Sequence, residues 1–245
     1  MNSSTHDSLP LDAIALPAVT PESSDALGRS ACCRVLSLLF SPPRTGNLAD
    51  LRALARSLPG GASARLEALA AADPDALQAE YHRVLGSSGQ VPVCESDHGG
   101  TDPGRKGALL ADAAGYYDAF AFDPSSELAE CPDHVSVQWG FLGYLALKEA
   151  LALARGEMDR AAVCREAATS FHANHVETWF QIFLERVGQV SPDGFLGGAA
   201  ALASELWPAL AYASMAPDAL RVLPPLPEGG GPPLACCCGD DEAEG

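Results

Sequence analysis

Nowhere does this chain carry a strand-length run of alternating β-branched residues. A half-buried strand needs a period of two, and β-branched or aromatic residues are its best formers. Alanine and leucine dominate instead, in a chain that is 47% hydrophobic, and they recur at helical spacing. The stripe Leu27, Ala31, Val35 and Leu38 is stopped by Pro42 and Pro43. Two more helical segments, 47–58 and 63–72, are parted by Pro59, Gly60 and Gly61. Asp73 before Pro74 then reads as an N-cap with proline at the first helical position.

Residues 86–104 are rich in Gly, Ser, Asp and Pro and predict a long loop, a kind of segment that tends to carry function. Helix resumes over 105–122, again over 134–155, and after a break at Gly156 over 157–187. A last helix over 194–215 is interrupted by Pro208. The expectation is an all-α, single-domain helical bundle of roughly 8 to 10 helices, the range being set by pattern alone. It spans residues 25–216, between a disordered arm at 1–24 and a disordered, Pro/Gly-rich, acidic, cysteine-bearing tail at 217–245.

The 15 basic residues face 32 acidic ones, a formal net charge of -17. Such a field repels phosphate backbones and anionic lipid, so no nucleic-acid partner is expected, and it attracts cationic peptides. No lysine or arginine precedes Arg29, so the export-signal pattern of a basic start is missing. The most apolar run, 141–154, holds Lys148 and Glu149 and is too short to insert into a membrane. The chain is therefore expected to be soluble and cytoplasmic, with its eight cysteines reduced.

Between the long loop and the most apolar helix stands an acidic corner, Glu130, Cys131, Pro132, Asp133 and His134. Capping explains part of it. Pro132 suits a first helical turn, and Asp133 beside it would face unpaired N–H groups at the positive end of the helix dipole. His134 is left over, as is the acidic run from Glu95 through Asp112 to Asp133. That run reads either as a solvated face or as a docking surface for arginines, which pair with carboxylates bidentately.

The segments "LLADAAGYYDAFAF" and "ECPDHVSVQWGFLGYLALKEA" resemble the central block of the TorD/DmsD/NarJ family of molybdoenzyme assembly chaperones. "QAEYHRVLGSSGQVPVCES" and "FHANHVETWFQIFLERV" resemble two further segments of it, in matching order over about residues 27–215. The resemblance implies an all-helical, non-enzymatic chaperone. It would bind the apo form of a molybdopterin oxidoreductase catalytic subunit, through a twin-arginine leader, until the cofactor is inserted and export can follow. Anaerobic respiration is the setting it implies. On the matching positions it points to Glu130, Asp133 and His134 in the corner, and Glu95 and Ser96 in the loop, as partner-binding residues. Cys94 stands where the family commonly has tyrosine, and Gln138 where it commonly has glutamate. Trp139, Phe141, Tyr116 and Tyr117 would offer apolar surface to the partner or else fill the core.

Competing chemistries find less support. No G-x-S-x-G, Cys-His or phosphate-loop motif is present, and Asp133 with His134 makes a poor acid/base pair because neighbouring residues diverge at a helix start. His172 and His175 lie i, i+3, a spacing that can serve one metal, but no carboxylate set accompanies them. Cys32 and Cys33 read as small apolar filling. No catalytic residue, cofactor or metal site is expected. The alternative function, from another class, is a metal- or thiol-responsive sensor built on Cys236, Cys237 and Cys238.

Overall fold

The computed structural model describes residues 19–98, 103–124 and 131–210. Among the described residues there are nine α-helices and no strand. In chain order they are α1 (Pro21–Leu39), α2 (Asn47–Ala55), α3 (Gly60–Leu69), α4 (Pro74–Val84), α5 (Pro103–Phe120), α6 (Val135–Ala154), α7 (Met158–Phe171), α8 (Phe180–Val190) and α9 (Phe195–Leu206). The all-α expectation is met.

Helix α6 lies at the centre because it is apolar nearly all round, and such a helix must be covered on every side. Val137, Trp139, Phe141, Leu142 and Leu145 are all fully buried. Helix α1 packs along one flank with Val35, Leu36 and Leu39, and α7 packs along another. The α1–α6 contact is close because Gly143 has no side chain: a Cβ there would sit 3.2 Å from the Cβ of Cys33. Hydroxyls of α1 use that proximity, Ser30 donating to the Gly143 carbonyl at 2.8 Å and Ser37 to that of Ser136 at 2.7 Å. Further along, the wholly buried Glu149 receives Arg29 from α1 at 2.8 Å and Arg165 from α7 at 2.6 Å. A buried carboxylate without such partners would cost several kcal/mol, on the order of 3–5.

Helices α8 and α9 form a hairpin that closes the core against α1, α3 and α4. Glu80 of α4 holds its turn, accepting the Phe195 and Leu196 N–H groups at 2.9 Å each and the Ser191 hydroxyl at 2.6 Å. This answers orphan donors at the start of α9 with a charge of the right sign for the helix dipole. Phe40, Phe180 and Phe183 meet edge-on or stacked beneath it.

Some boundaries differ from those expected. Helix α1 starts at Pro21 rather than after Ser24, because Thr20 and Ser23 form a reciprocal capping box. Leu27, expected on the buried stripe, is 41% exposed. Gly60 and Gly61 open α3 instead of standing outside it, with Pro59 as the N-cap. The helix expected over 157–187 is broken by a π-helical turn at His172–Val176. The last helix ends at Leu206, ahead of Pro208, which lies in a short 3-10 turn at Trp207–Ala209, and the expected continuation over 211–215 lies outside the described residues. Most of the expected arm and all of the expected tail lie outside the described residues.

The α1–α6 crossing is sensitive to volume. Gly143→Val is expected to destabilise the fold by about 1–3 kcal/mol through overpacking against Cys33 and the Ser30 carbonyl. Urea unfolding followed by circular dichroism measures it.

Candidate functional site

The long loop and the acidic corner meet. Cys94 pairs with His134 as an isolated antiparallel bridge, with the Glu95 N–H donating to the Asp133 carbonyl at 3.0 Å and the Val135 N–H to the Val93 carbonyl at 2.9 Å. A 3-10 turn at Glu95–Asp97 follows the bridge, and the Asp133 carboxylate accepts the Ser96 N–H at 2.9 Å. Asp133 thus caps the loop's turn, not the helix that follows it. The helix cap is His134, whose Nδ1 accepts the Ser136 N–H at 3.1 Å. Because that nitrogen accepts, the ring proton belongs on Nε2. Pro132 stands outside the helix, and its carbonyl accepts the Tyr117 hydroxyl at 2.6 Å, which ties the corner to α5.

A chain of polar groups leads outward from this junction. Glu95 accepts the Gln138 amide at 2.7 Å and meets Nδ1 of His175 at 3.1 Å, both through Oε2. Nε2 of His175 reaches Asp112 at 3.0 Å, and Asp112 is 61% exposed. The π turn makes this possible. It widens the helix at His172–Val176, and His175 lies within it with its carbonyl accepting the Trp179 indole N–H at 2.6 Å.

Burial raises the Glu95 pKa, with the His175 and Gln138 contacts pulling against it. For His175, burial disfavours the charged form, but the hydrogen bond and charge of Glu95, then those of Asp112, outweigh it and the pKa is raised. Burial, helped by the charges of Asp133 and Glu95, pushes the Tyr117 phenol well up, so its hydroxyl stays a donor. His98 and His172 go the other way, both held at about 4 chiefly by burial.

The structure puts six of the seven residues singled out in the sequence inside the protein, and brings five of them, all but Trp139, to the junction. Glu95, Ser96, Asp133, His134, Trp139 and Tyr117 are all at most 7% exposed. In this conformation their side chains are turned to the interior and not to the surface. Trp139 and Phe141 are fully buried core rather than apolar surface. The seventh residue, Glu130, lies outside the described residues.

Gln138, His175 and Asp112 belong to the junction and were missed as members of it. A glutamine on the apolar helix α6 was a visible signal; the contact from His175, 80 residues further along than Glu95, was not. His172 and His175 do not share a site. His172 sits between the rings of Trp139 and Trp207, with centroids 6.1 and 5.9 Å away.

The family described as nitrate reductase delta subunit matches residues 44–185, more than half of the chain and the whole of this junction. The chain belongs to that family. Its members are maturation chaperones of molybdoenzymes and not catalysts. The implied partner is a molybdoenzyme catalytic subunit. No curated protein and no solved structure matches the chain. Among the described residues, no helix is long and apolar enough to cross a membrane.

Removing the Asp133 carboxylate strands a buried donor. Asp133→Ala is expected to cost about 1–3 kcal/mol, while Asp133→Asn keeps an acceptor for the Ser96 N–H and recovers most of that stability. Denaturant midpoints of the two variants give the comparison.

The histidines set opposing pH dependences. An unfolded histidine titrates near 6.5, and His98 and His172 titrate at about 4 when folded. The stability they contribute is full above 6.5 and is lost as pH falls through 4. His175, raised above 6.5, contributes stability that is full below 6.5 and is lost as pH rises through its folded value. Thermal midpoints against pH are expected to show a shallower acid limb in His172→Phe and a shallower alkaline loss in His175→Gln.

Proposed function

We propose that this chaperone binds, in the cytoplasm, the apo catalytic subunit of a molybdopterin oxidoreductase, engages its twin-arginine leader, and releases it for export once the cofactor is inserted. Family membership across the loop, the corner and α6 supports the client class. The observation that carries the leader contact is the exposed carboxylate of Asp112 at the outer end of the buried Glu95–His175 chain. A guanidinium placed on Asp112 would compete with His175 for it, and so would be felt at Glu95 and the corner. Glu95, Ser96, Asp133, His134, Trp139 and Tyr117 form the partner-binding region by holding this junction in shape, and Glu130 contributes from the segment preceding it. The net charge of -17 adds attraction for a basic leader that weakens with salt.

Affinity capture from the native host, with mass spectrometry of the bound proteins, tests the client. Recovery of a molybdopterin subunit as a cofactor-free precursor is the expected result; recovery of general chaperones alone overturns the proposal. With the client in hand, Asp112→Asn is expected to weaken capture about two- to fivefold, the size of one partly exposed ion pair. Replacing both leader arginines with alanine is expected to abolish the difference between Asp112→Asn and the unmodified chain. A difference that persists places the contact on the mature body of the client.

A further inference from the structure

The junction also gathers two thiols and a carboxylate. One sulfur each from Cys94 and Cys131 and a carboxylate oxygen of Asp133 all lie within 4.8 Å of one another. The three residues are 3%, 8% and 1% exposed, and neither cysteine is in a disulfide. We propose that Cys94, Cys131 and Asp133 form a binding site for a thiophilic divalent metal ion of the zinc class.

The donors come from opposite sides of the junction. Cys94 is held on the loop by the bridge opposite His134. Cys131 opens the corner's turn, its carbonyl accepting the His134 N–H at 3.0 Å. Asp133 is oriented by the Ser96 N–H at 2.9 Å, the kind of outer contact that fixes a ligating carboxylate. Two sulfurs bound tetrahedrally to one zinc ion, each at about 2.3 Å, are about 3.8 Å apart, so donors within 4.8 Å of one another can close on the ion by side-chain movement of about 1 Å or less.

Chemistry narrows the ion. Two soft sulfurs disfavour magnesium and calcium, which want all-oxygen sets, and favour zinc and its thiophilic neighbours. Binding releases the thiol protons, and the cation then balances a cluster of anions that the interior would not otherwise accept. Three protein donors leave one tetrahedral position, which water fills. The consequence is mechanical: an ion here bonds the loop to the corner across the bridge, so occupancy sets how firmly the turn bearing Glu95 and Ser96 is fixed to the start of α6. This site is independent of the client's identity and of the cysteines at 236–238.

Cobalt(II) is a spectroscopic probe for it. In the full reduced chain carrying serine at positions 236, 237 and 238, a single cobalt ion per chain is expected, with thiolate-to-cobalt charge transfer in the near ultraviolet and tetrahedral bands in the visible, all displaced by zinc. Cys94→Ser and Cys131→Ser should each weaken binding by at least about tenfold, and Asp133→Asn, which keeps the acceptor for Ser96, should weaken it as well. Zinc should raise the thermal midpoint in a concentration-dependent way. No cobalt uptake by the folded, reduced protein overturns the proposal, as does an unchanged spectrum in folded Cys94→Ser and Cys131→Ser. Formation of a Cys94–Cys131 disulfide in air, with no metal bound after reduction, also overturns it. If the serine variants do not fold, alkylation mapping on the chain with Cys94 and Cys131 intact decides: zinc must protect these two thiols, and equal labelling with and without zinc sinks the site.

Discussion

Asp133 is buried against the long loop, and its carboxylate is answered by the backbone N–H of Ser96. The rest of the junction depends on that contact. It holds the 3-10 turn at Glu95–Asp97 against the start of α6, which lets Cys94 pair with His134 and lets Glu95 face Gln138 and His175. A loop carrying this much polar backbone can be buried only when its donors and acceptors find partners. Here the partners come from the corner, and the corner in turn is held by Tyr117 and capped by its own histidine.

The helical frame serves that junction. Helix α6 is fixed along its length by α1 and α7, through the close approach at Gly143 and the two arginines on Glu149. Its N-terminus is therefore a rigid platform. The π turn at His172–Val176 bears on the other side, placing His175 between an internal carboxylate and an external one. Polar groups arranged this way connect surface charge to buried structure in a member of a molybdoenzyme maturation chaperone family. The family to which the chain belongs comprises assembly chaperones and not catalysts.

The corner was the most informative stretch of the sequence, and capping of the following helix does not account for its proline and aspartate. Pro132 and Asp133 fit a helix start by local rules, yet the helix begins one residue after His134. Local spacing cannot tell whether a carboxylate caps its own helix or a turn 37 residues earlier in the chain, because both present unpaired N–H groups. The likeness to the chaperone family pointed to residues that the structure brings to one junction, Glu95, Ser96, Asp133 and His134. It did not reveal that they are buried, since a list of matching positions carries no depth.

What the amino-acid sequence determined by itself is the set of elements. Alanine and leucine at helical period, with Pro and Gly between, dictate helices, and an apolar α6 dictates that others surround it. Asp73 before Pro74 and the break at Gly156 were equally legible, because caps and left-handed glycines act through nearest neighbours. Tertiary structure alone decided which polar residues meet. Glu95 with His175, Asp133 with Ser96 and Cys94 with Cys131 are separated by tens of residues. Their encounter is set by how helices pack, a global outcome of burying apolar surface that no local pattern encodes.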